Sequence, residues 1–255
     1  MKNHSNMVKE KRLQHILKLL QNREMVTYDL LAGELSVSED TIRRDIETLH
    51  NNGLLSKIRG GAMLRSENPL SFQERTTYLQ GGKDVIALKA QQLIKNGQTI
   101  FMDGGSTICA IAGRLPLNSV LKVITNNQAV VQILSRIPEI EIIILGGNYD
   151  RDTATSSGTQ AIYEAGKYVA DLYFMGTCAI HHAFGITASL QTEGELKQAM
   201  IKSSLKTVAL SNGEKLDSIE YFKVCDFSGI DVLVTDLASG DPKLNNYRAQ
   251  GFQLL

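Results

Sequence analysis

The chain has 255 residues, 43% hydrophobic and 21% charged, with a formal net charge of +0. That is the composition of a folded soluble protein with enough apolar material for one large or two unequal domains, so neither disulfide nor metal is needed to staple it. Cys109, Cys178 and Cys225 are odd in number and widely spaced, which excludes a CxxC redox pair or a zinc knuckle and points to reduced thiols. No run approaches the ~18 apolar residues of a membrane span, and the opening MKNHSNMVKEKR lacks an apolar signal core; the expectation is a cytoplasmic chain with no membrane partner.

Residues 1–65 carry 11 Lys and Arg against 8 Asp and Glu, so a mildly basic head precedes a mildly acidic body. Residues 8–22 place Leu13, Ile16, Leu17 and Leu20 at spacings of three and four, which predicts an amphipathic helix. Thr27 is placed to cap a short second helix, TYDLLAGEL. Ser38 is placed to cap a third, SEDTIRRDIETL, with Thr41 where a capping box carries Glu or Gln and Asn51-Asn52-Gly53 as its stop. Two short β-prone runs flank Arg59-Gly60-Gly61 and predict a hairpin. Residues 65–82 are polar, contain Pro69 and end at Gly81-Gly82; they read as a linker with room for a short helix.

From residue 83 the pattern changes. TIFMD, KVIT, IEIIIL, DLYFMG, TVAL and DVLVTD read as buried strands; STICAIAGRL, NQAVVQILSRI and ELKQAMIKSS read as helices between them. Alternating strands and helices predict a mostly parallel sheet covered on both faces, whose ligands sit where strand ends meet helix N-termini. Tyr163 and Tyr168 read as packing residues.

The third helix carries the functional signal. At 100° per residue, Ile42, Ile46 and Leu49 share one side, while Asp40, Thr41, Arg44, Glu47 and Thr48 lie opposite or flanking and Arg43 sits at the edge. An apolar back and an arginine-bearing front are what a helix needs to enter a major groove. Asp40, Thr41 and Arg44 are expected at base edges, and Arg43 on phosphate. Ser38, with the helix N-terminus, is expected on a further phosphate. Thr27, Tyr28, Glu39, Lys57 and Arg59 complete the predicted surface for double-stranded operator DNA.

These residues resemble the helix-turn-helix of the DeoR family of bacterial transcription regulators. Arg12, Ile16 and Leu20 stand at family spacing in the first helix, and Ser38, Thr41, Ile42, Arg43, Arg44, Asp45 and Ile46 follow as S-x-x-T-I-R-R-D-I. Gly53, Leu54 and Arg59–Ala62 match a glycine-rich wing in which His-Gly-Gly-Ala is more usual. The resemblance continues through IFMDGGST, VITNNQ, ILGG, YFMGTCAIHHAFGIT and EGELKQAM, to about residue 236. It implies a winged helix-turn-helix at 1–64, a linker at 65–82 and an α/β effector domain at 83–255, similar in fold to ribose-5-phosphate isomerase. It further implies a repressor of a carbohydrate operon that answers to a phosphorylated sugar or related metabolite and works as a homo-oligomer, dimer or tetramer.

The local chemistry suits such a ligand. Asp103-Gly104-Gly105-Ser106-Thr107 joins a strand to a helix, giving inward-turning amides, two hydroxyls and a positive helix end. Asp103 is placed for sugar hydroxyls. Thr125-Asn126-Asn127, Gly146-Gly147 and Gly176-Thr177 end other strands and are expected in the same crevice. Glu195 and Lys197 open a later helix, and Lys215 is the expected cation on phosphate. The family's D-x-S-K segment reads Ser211-Asn212-Gly213-Glu214-Lys215 here, and its D-A-G-T-T is D-G-G-S-T. His181-His182 has no third ligand at useful spacing, so neither metal nor cofactor is expected. The competing reading is a sugar-phosphate isomerase with an accessory DNA-binding head, which would need a positioned general base at Asp103 or Glu195.

Overall fold

In a computed structural model of the chain, the described residues are 9–23, 25–51, 55–63 and 72–255. The predicted stop at Asn52-Gly53, Leu54, Leu64 and the linker residues 65–71 lie outside them.

The head comprises α1 (Lys9–Asn22), β1 (Met25–Thr27), α2 (Tyr28–Leu35), α3 (Glu39–Asn51), β2 (Ser56–Ile58) and β3 (Gly61–Met63). Its core forms where the apolar stripes meet: Ile16 and Leu20 of α1, Leu31 of α2, and Ile42, Ile46 and Leu49 of α3 are all buried. Each such side chain contributes about 1.5–3 kcal/mol of transfer free energy. Ser38 Oγ accepts from the Thr41 amide (3.3 Å) and shares a bond with Thr41 Oγ1 (2.9 Å), so the cap forms with threonine in the glutamate's place. Thr27 holds the N-cap position of α2, but its side chain makes no capping bond. The three strands lie in the order β1-β3-β2, all antiparallel. A Cβ on Gly61 would sit 2.0 Å from the Val26 carbonyl oxygen, so only glycine lets β3 approach β1 there.

The body begins with α4 (Phe72–Thr77) and α5 (Gln80–Ala90). Gly81 and Gly82 therefore lie inside a helix. A Cβ at Gly82 would meet Asp236 Oδ2 at 2.5 Å, so this glycine serves close packing and does not break the chain. There follow β4 (Thr99–Met102), α6 (Ser106–Gly113), β5 (Leu121–Thr125), α7 (Gln128–Leu134), β6 (Ile140–Ile144), β7 (Asn148–Asp150), β8 (Thr155–Ser157) and α8 (Thr159–Ala165). The chain continues with β9 (Leu172–Gly176), β10 (Ala179–His181), β11 (Gly185–Ala188), α9 (Gln191–Lys202), β12 (Thr207–Ser211), β13 (Phe222–Cys225), β14 (Val232–Thr235) and β15 (Gln253–Leu254).

Seven strands form one parallel sheet in the order β15-β14-β12-β9-β4-β5-β6. Alternate residues feed opposite cores. Ile100, Met102, Leu172, Phe174, Val208 and Val232 pack with α5, α6 and α7; Phe101, Tyr173, Met175, Ala209 and Leu233 pack with α8, α9 and a small antiparallel sheet, β10-β11-β13. The strand order reverses between β4 and β9, and a crevice opens beyond the carboxyl ends of strands at such a switch. The expectation for Tyr163 needs correction: its side chain is exposed, with Lys167 over the ring, because α8 buries only its Ala161–Ala165 side. No helix among the described residues is long and apolar enough to cross a membrane.

Candidate functional site

The head presents one charged surface. Burying Ile42, Ile46 and Leu49 turns the other face of α3 outward, and the Arg44 side chain is 82% exposed and pairs with Asp40 one turn back (3.1 Å). Such a pair contributes about 0.3–0.5 kcal/mol and is readily exchanged for another anion. Arg43 faces Glu39 (3.6 Å), and its guanidinium lies 4.8 Å from the centre of the Tyr28 ring. Tyr28 itself is buried in the head core, so it supports Arg43 from beneath rather than standing on the surface. Lys57 of the wing pairs with Glu47 of α3, which holds the lysine's pKa up and the glutamate's down. Arg59 is exposed at the hairpin tip, where Gly60 takes a positive φ of 88°. Beneath the surface, Asp45 accepts from Arg12 Nε (2.6 Å) and Nη2 (3.1 Å), locking α1 to α3.

The body's cleft lies at the switch between β4 and β9. Gly104, Gly105, Ser106 and Thr107 line one side, Gly176, Thr177 and Cys178 another, and Arg75, Tyr78, Lys83, Thr153, Thr155, Ser189, Glu193, Asn212 and Lys215 close the rest. Gly105 has a φ of 128°, outside the range of other residues, and precedes α6 with no side chain capping the helix. A Cβ at Gly176 would meet the Gly104 carbonyl oxygen at 2.6 Å, so the two loops touch because residue 176 is glycine, while a Cβ at Gly104 would meet the Thr155 methyl at 2.6 Å. The thiol of Cys178 is pushed up to about 11 by burial and by nearby Glu193, and stays protonated.

Asp103 forms the floor, not the wall. Its carboxylate accepts from the Tyr173 hydroxyl (2.7 Å), the Gly176 amide (2.9 Å) and Lys197 Nζ (2.5 Å). Lys197 also donates to the Gly176 carbonyl (2.8 Å) and faces Glu193 (3.1 Å). Burial alone would lower the Lys197 pKa, but the charges of Asp103 and Glu193 outweigh it and keep the ammonium. The sugar-hydroxyl role expected for Asp103 does not match its placement: the carboxylate is buried, already accepts from three donors and is not among the residues that line the cleft. Lys197 is drawn in as its partner.

Other expected residues stand away from the cleft. Thr125, Asn126 and Asn127 are buried behind it: Asn127 caps α7 through the Ala129 amide (2.9 Å), and Asn126 Nδ2 donates to the Ser156 carbonyl (2.8 Å). Gly146 donates its amide to Glu164 (2.9 Å) and Gly147 packs on Ser157. The physical reason is the β7-β8 hairpin, which lies across the ends of β5 and β6 and closes them off. Glu195 bonds Gln191 (2.7 Å), and it is Glu193, half a turn earlier, that faces the cleft.

Sequence reasoning missed Arg75, Tyr78 and Lys83. Lys83 is buried, donates to the carbonyls of Arg75 and Tyr78, and has its pKa lowered by desolvation. Lys215 Nζ donates to the Thr177 carbonyl (2.5 Å), and burial lowers its pKa to about 8. Two cations flanking Tyr78 in FQERTTYLQGGK were the available signal. No group of three or more His, Cys, Asp and Glu among the described residues is arranged to hold a metal.

Residues 12–68 match the DeoR-like helix-turn-helix domain, and residues 80–237 match the DeoR C terminal sensor domain. The chain is 34% identical over 223 residues to the HTH-type transcriptional regulator GolR of Listeria innocua, covering 87% of this chain and 88% of that one. It is 31% identical over 233 residues to the HTH-type transcriptional repressor GlcR of Bacillus subtilis (90% and 89%). It is likewise 31% identical over 235 residues to the lactose phosphotransferase system repressor of Lactococcus lactis (90% and 92%). Among solved structures, ribose 5-phosphate isomerase A of Methanocaldococcus jannaschii aligns at a TM-score of 0.39 and 17% identity over 52% of this chain and 53% of that one. With both of its matched domains in sequence and relatives aligned over nearly their whole length, the chain belongs to the DeoR family of transcriptional regulators.

Proposed function

We propose that this chain represses a carbohydrate-metabolism operon and that a phosphorylated sugar or related metabolite, bound in the body's cleft, controls it. In this reading α3 enters the major groove with Thr41 and Arg44 at base edges, and Arg43, Lys57 and Arg59 hold the backbone. Two heads of a homo-oligomer reach half-sites about one helical turn, or a multiple of one, apart.

One observation carries the ligand reading. Arg75, Lys83 and Lys215 line the same cleft as Ser106 and Thr107 at the N-terminus of α6, which no side chain caps, and none has an ion-paired carboxylate among the described residues. Like charges held together oppose one another; a phosphate dianion satisfies all three and accepts from the helix end. The names of relatives that repress a lactose phosphotransferase system and, in one case, an aga operon support a carbohydrate target.

Pure protein incubated with aldose and ketose phosphates tests the proposal. Stoichiometric binding without product, accompanied by a change in operator affinity, is expected. Multiple turnovers, or operator binding indifferent to every ligand in the set, would overturn it.

A further inference from the structure

Arg75 and Tyr78 belong to neither matched domain: the helix-turn-helix match ends at residue 68 and the sensor match begins at residue 80. Yet both line the cleft. The head's last strand ends at Met63 and α4 begins at Phe72, so the stretch that joins head to body supplies part of the cleft wall.

Three ties set α4 at that wall. The Phe72 amide donates to the Asp152 carbonyl (2.8 Å) at the start of the helix. Buried Lys83 donates to the carbonyls of Arg75 and Tyr78 at its end. The Tyr78 hydroxyl donates to Glu214 (2.7 Å), the neighbour of Lys215. Leu79 then takes a left-handed φ of 48°, which turns the chain into α5. Lys83 belongs to α5 and Lys215 to the loop after β12, whereas Arg75 belongs to α4, the first described element after the head.

We infer that Arg75 is the coupling residue of this regulator: an anion in the cleft bonds Arg75 together with Lys83 and Lys215, and so sets the position of the segment that leads to the DNA-binding head. The inference rests on the cleft's binding an anionic ligand, as proposed above, and adds that the connector is itself a ligand-binding element. The physical requirement is that the Arg75 contact be made in one position of α4 and lost in another, since only a differential contact shifts an equilibrium.

Hydrogen exchange of the full chain, with inorganic phosphate as the probe, tests this. In the unsubstituted protein, saturating phosphate is expected to slow exchange about fivefold or more over residues 104–109 and also over 72–79. In Arg75→Gln, with phosphate raised until protection over 104–109 matches, residues 72–79 are expected to exchange as in the free protein; Arg75→Lys restores part of the effect. If 104–109 are protected while 72–79 do not respond, or respond equally in Arg75→Gln, the coupling role is refuted and the cleft reading survives. If phosphate protects neither segment of the unsubstituted protein, both fall. Should Arg75→Gln fail to fold, Arg75→Ala takes its place in the comparison, and 104–109 protected without 72–79 in the unsubstituted protein refutes the coupling role by itself.

Discussion

Lys197→Met tests the charge balance beneath the cleft. Lys197 and Asp103 have side chains only 2% and 3% exposed, and the ammonium supplies one of three donors to the carboxylate. Methionine matches the stem but removes the charge, leaving Asp103 with the Tyr173 hydroxyl and the Gly176 amide alone. Breaking a buried pair by removing one partner costs about 3–5 kcal/mol. For a body of this size each kcal/mol lowers the melting temperature by about 2–4 °C, so a loss of ~4 kcal/mol lowers it by about 8–16 °C. The pH dependence has a definite sign. Burial already pushes the Asp103 carboxyl up, and without the ammonium it rises further above its unfolded value of about 3.9. An acid whose folded pKa is raised is favoured in its protonated form, so the variant's deficit is full above the folded pKa and shrinks as pH falls through it. Calorimetry at pH 8, 6.5 and 5 should therefore show a gap that narrows on acidification. A deficit below ~1 kcal/mol at pH 8, or a gap that widens toward pH 5, would refute this account of the floor.

The remaining predictions concern the head and the rim. Arg44→Ala should leave the melting temperature unchanged, because its pair with Asp40 is exposed, while costing about 1–3 kcal/mol of specific operator affinity by fluorescence anisotropy. Asp45→Ala should destabilise the head by about 2–3 kcal/mol, less than a fully buried pair because Arg12 is 12% exposed and regains some water; loss of helical circular dichroism on heating reads it. Because Lys215 has its pKa lowered to about 8, it loses its charge between pH 7 and 9, so calorimetric affinity for a sugar phosphate should fall across that interval; an affinity flat with pH removes Lys215 from the phosphate contact.

The sequence disclosed the main strands because each is a largely apolar run: all six predicted segments are members of the parallel sheet, although β6, at its edge, is partly exposed. It did not disclose β15, with two residues, or the small sheet β10-β11-β13, whose three- and four-residue strands are too short for any period to register. The glycine loop after β4 was legible because Gly-Gly-Ser-Thr between a strand and a helix has few uses. Its partners were not. Asp103 and Lys197 stand 94 positions apart, and no local pattern pairs them. Thr125–Asn127 and Gly146-Gly147 were placed in the crevice by the rule that ligands sit at strand ends, but the rule applies at the switch between β4 and β9, and the β7-β8 hairpin covers the neighbouring ends. Arg75 was hidden because the polar stretch 65–82 with its proline reads as linker until α4 is seen against α6, and Lys83, the first residue of the predicted effector domain, lies in no pattern that marks a buried lysine.

The cleft separates two kinds of charge. Its floor is an ion pair: buried Asp103 and Lys197 hold one another and bind the Gly176 backbone, joining the loops after β4 and β9, while Glu193 meets Lys197 from the cleft side. Its rim is unsaturated, with Arg75, Lys83 and Lys215 lacking carboxylates among the described residues. Only the rim can distinguish a filled cleft from an empty one, and of its three cations only Arg75 belongs to the segment leading to the head. A hundredfold change in operator affinity requires about 2.7 kcal/mol of coupling, within the usual range of about 1–3 kcal/mol. One charge-assisted hydrogen bond to phosphate, made in one connector position and absent in the other, contributes about 1.5–3 kcal/mol. A single arginine contact is thus large enough to carry the whole signal, and no rearrangement of the parallel sheet is needed to transmit it.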